Sequence, residues 1–515
     1  MTDMTRRTFG KGLLAGALVG QLGCRITGVP TNQENKGNSR PNVLLLLHDD
    51  QSAHLGCLGT RGISTPHADR LAQEGMLFTN AFSTSASCSP TRASILTGMY
   101  PHSNGHWRNT ISPPIPGTAE DYGRDSTFTD SCGVHEDIPT LVEIVNSIGY
   151  VTGITSKFHL SPPWKYPFAH RLVGGMHPSG CRSSMETFLD ATDDQPFFLM
   201  ANIANTHRPF PPHIIDIGKA RVDPNAIDVP PELPDTPALR ADLAEYFDTV
   251  ECADACAGAF LDVLRQSGKY ENTLIILTSD QGYCYHRAKA TAYDDGVRVP
   301  FILAGPGVSA GAGSDALVSH IDLVPTILDA VGAATPDNVQ GEALWPLLEG
   351  GKQAPWRDYV FAEHHAHGLP VDPQYYPTRT VFDGRYQYIR NLTPDRKWTG
   401  EPEDLIPGPI PLDVLFAGPA DIFPGGPWEN KAFEAIVAAK DEFPDQYALL
   451  KAIFDRPAEE LYDLESDPGE MVNLAQDSKH AARLAELSAA MDAWMVDTND
   501  AGVGLKDVPR RTGDR

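Results

Sequence analysis

The chain has 515 residues, of which 41 are lysine or arginine and 67 are aspartate or glutamate, so its formal charge at pH 7 is −26. Hydrophobic residues make up 41% and charged residues 21%, which is typical of a folded globular protein and too apolar for a disordered one. The acidic balance argues against a general nucleic-acid-binding protein, because contacts to phosphates need clustered lysine and arginine. Glycine (45) and proline (43) are numerous, which predicts many loops.

The first residues have the pattern of an export signal. Thr5–Lys11 contains a twin arginine, and the apolar stretch Leu13–Leu22 follows it. This stretch is shorter than the ~20 apolar residues that a membrane-spanning helix needs, and no other run in the sequence is long and apolar enough. We therefore expect residues 1–24 to direct export of the folded chain by the Tat machinery, so that the mature protein is periplasmic. The end of this segment also resembles a lipoprotein cleavage box, and lipidation of Cys24, which would hold the protein at the membrane surface, stays open.

The rest of the chain alternates between short apolar runs and segments with helical spacing. The predicted strands are Asn42–Leu47, Tyr150–Thr155, Pro196–Ile203 and Asn272–Thr278, and the predicted helices are Pro66–Glu74, Leu141–Ile148, Pro237–Ser267 and Ala481–Val496. Continuous apolar runs suit strands that are buried on both faces of a parallel sheet. The alternation predicts an α/β fold with a mainly parallel central sheet sandwiched by helices.

Composition divides the chain after the leader into three parts. Residues 25–40 are polar and form a predicted linker, residues 41–348 carry the alternation of strands and helices, and residues 349–515 form a smaller C-terminal subdomain. After Leu344–Leu348 the pattern changes to short strands and turns, followed by one helix. We expect an α+β subdomain with a short antiparallel sheet there.

Polar side chains follow each of the four predicted strands. They are Asp49 with Asp50, Lys157 with His159, His207, and Asp280 with Gln281. In a parallel sheet the ligand site lies beyond the carboxyl ends of the strands, so we expect these side chains to meet there. Adjacent carboxylates repel each other unless a cation or solvent screens them, and carboxylate and amide oxygens are ligands of hard divalent ions. The two acidic sets therefore indicate a divalent-ion site, although each pair could instead only begin a loop or cap a helix.

The most specific motif is CSPTRASILTG at Cys88–Gly98. A cysteine followed by proline two residues later and arginine four residues later, and then by Leu-Thr-Gly, resembles the signature of the type I sulfatases of the alkaline phosphatase superfamily. In that family a formylglycine-generating enzyme of the export pathway recognises C-x-P-x-R and oxidises the cysteine to formylglycine. The resemblance implies this modification of Cys88; the alternative from the motif alone is a buried structural cysteine at the start of a helix.

Other segments extend this resemblance over about residues 41–497. It implies an alkaline phosphatase-like fold in which residues 41–348 are the catalytic domain. It also implies one Ca²⁺ per active site, and the implied ligands are Asp49, Asp50, Cys88 as formylglycine, Asp280 and Gln281. Thr278–Gly282 matches the family pattern T-S-D-[NH]-G except at Gln281, whose side chain is one methylene longer than that of asparagine.

The same resemblance implies a set of side chains around the sulfate. The basic ones are Arg92, Lys157 and Lys289, and the histidines are His159 and His207. Lys157 and His159 stand in a segment similar to the family's G-K-x-H, with Ser156 in place of the glycine. In the implied mechanism the hydrated aldehyde attacks sulfur and the cations stabilise the charge on the sulfuryl oxygens. His207 protonates the leaving group, and His159 is the base that lets sulfate leave.

Some segments are similar to a subgroup of that family, the heparan N-sulfatases (sulfamidases). They are Pro230–Tyr246, His364 with His365, and Tyr376–Arg379. The similarity predicts hydrolysis of a sulfate ester or sulfamate of a sulfated sugar in glycosaminoglycan degradation, as by an N-sulfoglucosamine sulfohydrolase. The subgroup has arginine at the position of Lys289, which is a departure. His364, His365 and Arg379 could shape a sugar pocket or pack between the subdomains.

Three other functions stay open. The chain could be an O-sulfatase of another substrate, or a phosphomonoesterase or phosphodiesterase of the same superfamily, enzymes that usually bind zinc or manganese through more histidines. It could also be a sulfated-glycan-binding protein without activity. The expected partners are a sulfated saccharide, the formylglycine-generating enzyme and the Tat machinery, with no nucleic acid; a homodimer stays open. Because negative charge surrounds a small cationic cluster, we expect action on a chain end or a short oligosaccharide.

Overall fold

The computed structural model describes residues 40–129, 132–174, 176–210, 217–349, 356–367, 375–395, 431–453 and 455–502. The predicted leader with Cys24, and all of the predicted linker except residue 40, lie outside these ranges, so their roles stay predictions. Within the ranges, no helix combines the length and the apolar character that crossing a membrane requires.

A large, mostly parallel sheet forms the centre of the fold, which confirms the predicted fold class. In the order in which they lie side by side, its strands are β5 (His170–Leu172), β4 (Val151–Thr155), β6 (Phe197–Ile203), β1 (Asn42–His48), β7 (Thr273–Ser279), β8 (Phe301–Ala304), β2 (Met76–Phe78) and β9 (Ala312–Ser314). Strand β8 runs antiparallel to β7 and β2, and the other neighbours pair in parallel.

The central strand β1 explains why the sequence has a continuous apolar run at this position. Its side chains from Val43 to Leu47 are fully buried, and they alternate between hydrophobic clusters on the two faces of the sheet. A strand that is buried on both faces needs an apolar residue at every position. Its last residue, His48, lies between Ile203 of β6 and Ser279 of β7, so three strands end side by side.

Helices cover both faces of the sheet. On one face lie α1 (Pro66–Glu74), α5 (Pro178–Thr192) and α6 (Pro237–Gln266), and on the other lie α2 (Cys88–Thr97), α4 (Leu141–Ser147) and α8 (Leu323–Val331). Three short helices are α3 (Pro101–Asn104), α7 (Asp294–Val297) and α9 (Trp345–Leu348). Helix α6 begins where the side chain of Thr236 accepts a hydrogen bond from the N–H of Leu239 and where proline occupies the first helical position.

A second, antiparallel sheet forms in the C-terminal part, as predicted. Its strands, in order, are β11 (Val360–Ala366), β12 (Tyr375–Phe382), β13 (Tyr386–Asn391) and β14 (Glu459–Asp463). Other elements are the paired strands β3 (Ala81–Phe82) and β10 (Val318–Ser319) and the helices α10 (Lys431–Ala438), α11 (Pro444–Ala452) and α12 (Ala481–Asp497). Strand β11 also contacts the segment before α2, because the N–H of Glu363 donates to the carbonyl oxygen of Thr84 at 2.9 Å. The predicted subdomain boundary at residue 348 stays a prediction.

Candidate active site

Three carboxylates meet at the edge of the sheet where β6, β1 and β7 end. The N–H of Asp49 donates to Ile203 O at 3.1 Å, and the N–H of Asp280 donates to His48 O at 3.0 Å. The N–H of Asp50 donates to Asp280 Oδ1 at 3.1 Å. The pairing of the three strands therefore sets the positions of these residues, and all three side chains are buried. The structure brings together the acidic residues that the sequence places after two separate strands.

Cys88 is the first residue of α2 and lies against these carboxylates. Its Sγ is 3.6 Å from Asp49 Oδ1, 4.0 Å from Asp50 Oδ1 and 3.1 Å from Gln281 Nε2. The residue is 1% exposed, and burial raises the pKa of its thiol well above the usual value. The thiolate is the reactive form of cysteine. The surroundings of Cys88 therefore do not suit an ordinary cysteine nucleophile.

Arg92 links α2 to the end of β7. It follows Cys88 by four residues, which puts both side chains on the same side of the helix. Its Nε donates to Asp280 Oδ2 at 2.9 Å, and its Nη1 donates to Asn202 Oδ1 at 2.6 Å. Asn202 in turn donates to the carbonyl oxygen of Lys157 at 2.8 Å, so it connects two basic residues. Sequence reasoning did not single out Asn202, because an asparagine inside a strand has no distinguishing pattern.

Two lysines neutralise the other carboxylates. Lys157 Nζ lies 2.9 and 2.7 Å from the two oxygens of Asp49, and Lys289 Nζ lies 2.7 Å from Asp50 Oδ2. Burial by itself would raise the pKa of Asp49, but the charge of Lys157 leads the opposing effects, which hold that pKa well below its usual value. Burial and the charge of Asp49 raise the pKa of Asp280 to about 7. At Asp49 the nearby cations therefore outweigh the cost of burying the charge, and at Asp280 they do not.

The two predicted histidines have different surroundings. His207 Nδ1 lies 2.5 Å from Arg208 O, its Nε2 lies 3.3 Å from Lys289 Nζ, and its side chain is 27% exposed. His159 is also half-buried, and loss of solvation followed by the charge of Lys157 holds its pKa well below the usual value. His159 is therefore kept neutral.

The segment after β4 has a strained backbone. Ser156 and His159 have φ values of 60° and 47°, in the left-handed region that side chains disfavour. Ser156 occupies the position at which the similar family motif has glycine, the residue that adopts this region without steric cost. In this chain a residue with a side chain therefore adopts a conformation that glycine adopts more easily. This conformation carries Lys157 to Asp49.

A cavity of about 370 Å³ opens beside these side chains. Its lining residues are Asp49, Lys157, Met176, Ala204, His207, Arg208 and Pro209. It gives solvent access to one carboxylate, one lysine and one histidine of the site. This cavity is the candidate entrance for a substrate.

The cluster fits a metal ion. One ligand atom each from Asp49, Asp50, Cys88 and His207 lies within 4.8 Å of all the others. Gln281 Nε2 donates to Asp50 Oδ1, and Gln281 Oε1 is buried without a hydrogen-bond partner. A half-turn of the amide would exchange its nitrogen for its oxygen and direct that oxygen towards the same carboxylate. Carboxylate and amide oxygens together fit a hard divalent cation.

Asp280 has a different place from the other predicted ligands. Its Oδ1 accepts hydrogen bonds from the N–H groups of Asp50 and Gln281, and its Oδ2 accepts from Arg92. It therefore lies beside the four-residue group rather than in it, while His207, which was not predicted as a ligand, lies within the group. The assignment of Asp280 as a ligand stays a prediction.

The three residues proposed for sugar specificity are buried. His364, His365 and Arg379 are at most 2% exposed. Arg379 Nε lies 2.5 Å from Asp500 Oδ2 and 3.7 Å from Glu363 Oε2, so its charge is paired. This geometry agrees with the packing alternative, and the pocket role stays a prediction.

Two residues that the sequence did not single out support the beginning of α2. His367 Nδ1 lies 3.1 Å from Ser87 Oγ, and His367 Nε2 lies 3.2 Å from Asn109 Nδ2. Asn109 Oδ1 accepts a hydrogen bond from the N–H of Ser89 at 2.9 Å. His367 is 280 residues from Ser87, so no local pattern could have revealed the contact.

Comparisons with known proteins agree with this geometry. The model of the sulfatase family matches residues 41–179 and 181–333, and a model described as N-sulphoglucosamine sulphohydrolase, C-terminal, matches residues 283–408. Human N-sulphoglucosamine sulphohydrolase is 30% identical to this chain over 510 residues. The match covers 91% of this chain and 93% of the human protein.

Two solved structures share the fold. A protein solved in complex with its substrate, D-glucosamine-2-N,6-O-disulfate, is 19% identical, with a TM-score of 0.59 and coverage of 90% of this chain and 99% of that chain. A phosphonate monoester hydrolase from Silicibacter pomeroyi is 20% identical, with a TM-score of 0.61 and coverage of 90% and 97%. At these identities the likeness concerns the fold alone. The family model and the human relative, which both match most of the chain, show that this protein belongs to the sulfatase family.

Proposed function

We propose that this chain removes sulfate from a sulfated sugar through a formylglycine formed from Cys88. The observation that carries the proposal is the position of Cys88 at the start of α2, 3.6 Å from Asp49 and four residues before Arg92. The human relative is named for N-sulphoglucosamine, and one structural neighbour was solved with an N- and O-sulfated glucosamine. These names support a sulfated amino sugar as the substrate, with the N-sulfate as the first choice and an O-sulfate as the second.

The modified residue would supply the nucleophile that the thiol lacks. A hydrated formylglycine offers two hydroxyl groups, of which one attacks sulfur and the other lets sulfate leave as the aldehyde forms again. The unmodified Cys88 thiol stays protonated because burial raises its pKa. The Cys88→Ala variant and the unmodified protein are therefore both expected to be inactive.

The acidic residues would hold a divalent cation. The proposed ligands are Asp49, Asp50, Asp280 and Gln281, and oxygen ligands of this kind favour calcium over zinc. When bound, the cation supplies positive charge that lowers the cost of ionising a hydroxyl group beside it. The chain contributes by holding its carboxylates in place, since Lys157 pairs with Asp49 and Lys289 pairs with Asp50.

Three basic residues would stabilise the charge that develops on the sulfuryl oxygens. Arg92 is held by Asp280 and Asn202, so its guanidinium group needs no rearrangement during the reaction. Lys157 and Lys289 are fixed in the same way by their carboxylate partners. Fixed charges in a buried site stabilise a transition state more strongly than mobile charges in water.

His207 would protonate the leaving amine or alcohol. His207 lines the cavity. In its protonated form the ring carries a proton on each nitrogen, and as the bond between sulfur and the leaving nitrogen or oxygen breaks, Nε2 delivers its proton to that atom and the neutral ring remains. His159 has the opposite task, because its low pKa keeps it neutral and able to accept a proton when sulfate leaves. The two histidines thus divide the acid and base steps.

The cellular setting is also part of the proposal. The twin-arginine segment at Thr5–Lys11 supports export by the Tat machinery to the periplasm, and a lipid on Cys24 would add an anchor. The cavity of about 370 Å³ and the net charge of −26 support action on a chain end or a short oligosaccharide, because a long sulfated polymer would be repelled.

The test begins with the protein produced together with a formylglycine-generating enzyme. Mass spectrometry of the peptide that contains Cys88 measures the modification, and sulfate release is then measured from mono- and disaccharides with single N-, 2-O-, 3-O- or 6-O-sulfates. We expect formylglycine at position 88, release from the N-sulfated sugar, and no release by the Cys88→Ala variant. Release from O-sulfated sugars only would correct the substrate and leave the sulfatase assignment standing. Preferential hydrolysis of phosphate or phosphonate esters would overturn it.

A further inference from the structure

The imidazole of His207 is oriented by the carbonyl group of the next residue. Its Nδ1 lies 2.5 Å from Arg208 O. A carbonyl oxygen only accepts hydrogen bonds, so in the neutral ring Nδ1 carries the proton and Nε2 carries the lone pair. In the protonated ring Nε2 carries the second proton, which is the one available to a leaving group. Nε2 lies 3.3 Å from Lys289 Nζ and 3.7 Å from Asp50 Oδ2. The position of the Arg208 carbonyl therefore decides which ring nitrogen faces the site.

Arg208 is itself held by a buried carboxylate. Its Nη1 donates to Asp242 Oδ1 at 3.0 Å, and its Nη2 donates to Asp242 Oδ2. Its Nε lies 3.3 Å from Cys284 O, and its guanidinium group stacks on the rings of Phe210 and Tyr285 at 4.4 and 5.0 Å. Arg208 and Asp242 are 3% and 1% exposed. A buried, two-point pair of this kind leaves the arginine little freedom.

Asp242 is fixed in turn. It lies on α6, where the neighbouring residues Leu239, Leu243 and Tyr246 are buried. The hydroxyl of Tyr285 donates to Asp242 Oδ2 at 2.7 Å. The carboxylate therefore has a rigid helix behind it and a second partner beside it. Neither Asp242 nor Tyr285 lines the candidate substrate cavity.

Other contacts of the same segment hold different residues. Thr206 Oγ1 donates to Asp49 O, and Asn205 Nδ2 donates to Met176 O at 2.8 Å. These bonds fix residues 205 and 206, and the pair between Arg208 and Asp242 fixes the position that orients the imidazole. The segment is thus attached to the site at one end and to α6 at the other.

We propose that Asp242 is a positioning residue for catalysis: by holding Arg208, it keeps the Arg208 carbonyl on His207 Nδ1 and so directs His207 Nε2 towards the leaving group. The inference rests on the proposed function, in which His207 protonates that group. Asp242 touches neither substrate nor reacting atoms, and its effect passes through Arg208.

The kinetic test compares two sulfate esters that differ in their need for a proton. An alkyl sulfate has a poor leaving group and needs protonation, whereas 4-nitrophenyl sulfate has a good one and does not. For Asp242→Asn we expect kcat on the alkyl sulfate to fall about 100-fold, the size that misplacement of a catalytic group can cause, with kcat on 4-nitrophenyl sulfate and both KM values nearly unchanged. His207→Gln is the reference and should show the same selectivity with a larger loss, about 10²–10⁴-fold.

The matched control is Asp248→Asn. Asp248 lies on the same helix and pairs with Arg221 at 2.9 Å, outside the residues that line the cavity. We expect it to change both reactions little and equally. An equal loss on both esters in Asp242→Asn, or no loss on either, overturns the proposal. Should that variant fail to fold, Tyr285→Phe removes only the hydroxyl that supports Asp242, and it must show a smaller loss with the same selectivity; an equal or absent effect overturns the proposal as well.

A second measurement needs no activity. Nitrogen-15 NMR of histidine-labelled protein distinguishes the two ring tautomers, and the signals of His207 are those missing in His207→Gln. We expect the neutral ring to carry its proton on Nδ1 in the wild-type protein and to carry it partly or wholly on Nε2 in Asp242→Asn, with no change in Asp248→Asn. A neutral wild-type ring whose single proton is on Nε2 would overturn the positioning role. This result separates failure of the inference from failure of the proposed function, because it stands even when no sulfate is released.

Discussion

Lys289 Nζ lies 2.7 Å from Asp50 Oδ2, and both side chains are almost completely buried. The same Nζ lies 3.3 Å from His207 Nε2, so the ammonium group of Lys289 contacts both the Asp50 carboxylate and the histidine that is proposed as the general acid. Removing one partner of a buried ion pair leaves an unpaired charge, which costs about 3–5 kcal/mol. Lys289 therefore holds a buried ion pair of the site, and in the proposed mechanism it also supplies part of the charge that receives the sulfate.

We expect Lys289→Gln to lower kcat/KM by about 10²–10³, because a fixed cation of the site is lost, and to lower the melting temperature. Lys289→Arg, which keeps the charge, should keep most of the activity. Lys219→Gln is the control, since Lys219 pairs with Glu251 at a more exposed position. Steady-state kinetics and thermal unfolding measure both effects. Wild-type kcat/KM in Lys289→Gln would contradict the role of this lysine.

Removal of metal should destabilise the protein. A ligand that binds only the folded state stabilises it by about 2.7 kcal/mol when present at 100 times its dissociation constant. We expect a calcium chelator to lower the melting temperature and added calcium to restore it. Asp50→Asn should abolish the response, because Asp50 belongs to the cluster whose ligand atoms lie together. A melting temperature that does not depend on calcium would contradict the metal site.

Glu232 should contribute stability that decreases as pH rises. Burial and the neighbouring Asp295 raise the pKa of Glu232 to about 8, whereas its usual value is 4.5. At this residue the folded state then binds more protons than the unfolded state between about pH 4.5 and pH 8, so the contribution of Glu232 to the free energy of unfolding falls across this window. Between pH 5 and pH 8 the free energy of unfolding of Glu232→Gln should fall less than that of the wild-type protein, and the difference should be on the order of a few kcal/mol. Urea unfolding at the two pH values measures this, with the more exposed Glu245→Gln as control; equal slopes for all three proteins would contradict it.

Ser156 offers a test of the backbone after β4. Its φ is 60°, and its hydroxyl is buried without a hydrogen-bond partner. Because the left-handed conformation costs a side chain roughly 1–2 kcal/mol, we expect Ser156→Gly to stabilise the protein by about 1 kcal/mol. Ser147→Gly, in helix α4, should instead destabilise it. Thermal unfolding measures the stability of both variants. A loss of stability in Ser156→Gly would show that the conformation is not strained.

The central strands could be predicted to within a residue or two. Strand β1 has a buried, apolar residue at every interior position, and this pattern is visible in the sequence. Strands β2 and β9 have three residues each, too few for any period to be recognised. Helix α5 begins PSGCRSS, and its glycine and serines hide the helical spacing that follows. Short or weakly patterned elements form because the sheet beside them supplies their partners.

The site could be predicted where its residues are close in sequence to a strand end or to one motif. Asp49, Asp50 and Cys88 belong to this class. The residues that support them do not, because their contacts join distant parts of the chain. Arg208 and Asp242 are 34 residues apart, and Ser87 and His367 are 280 residues apart. A pattern in one segment carries no information about a partner that only folding brings near.

The contact between β11 and the segment before α2 has a consequence for the proposed modification of Cys88. Cys88 is 1% exposed. Hydrogen bonds between Glu363 and Thr84 and between His367 and Ser87 hold β11 and the residue after it against the segment that precedes Cys88. A modifying enzyme that binds the residues around Cys88 would therefore have to act before β11 packs against this segment, while the chain is still incomplete or unfolded. The proposed Tat route carries folded chains. On that proposed route, formylglycine would have to form in the cytoplasm before export, because a modifying enzyme in the periplasm would meet Cys88 already buried.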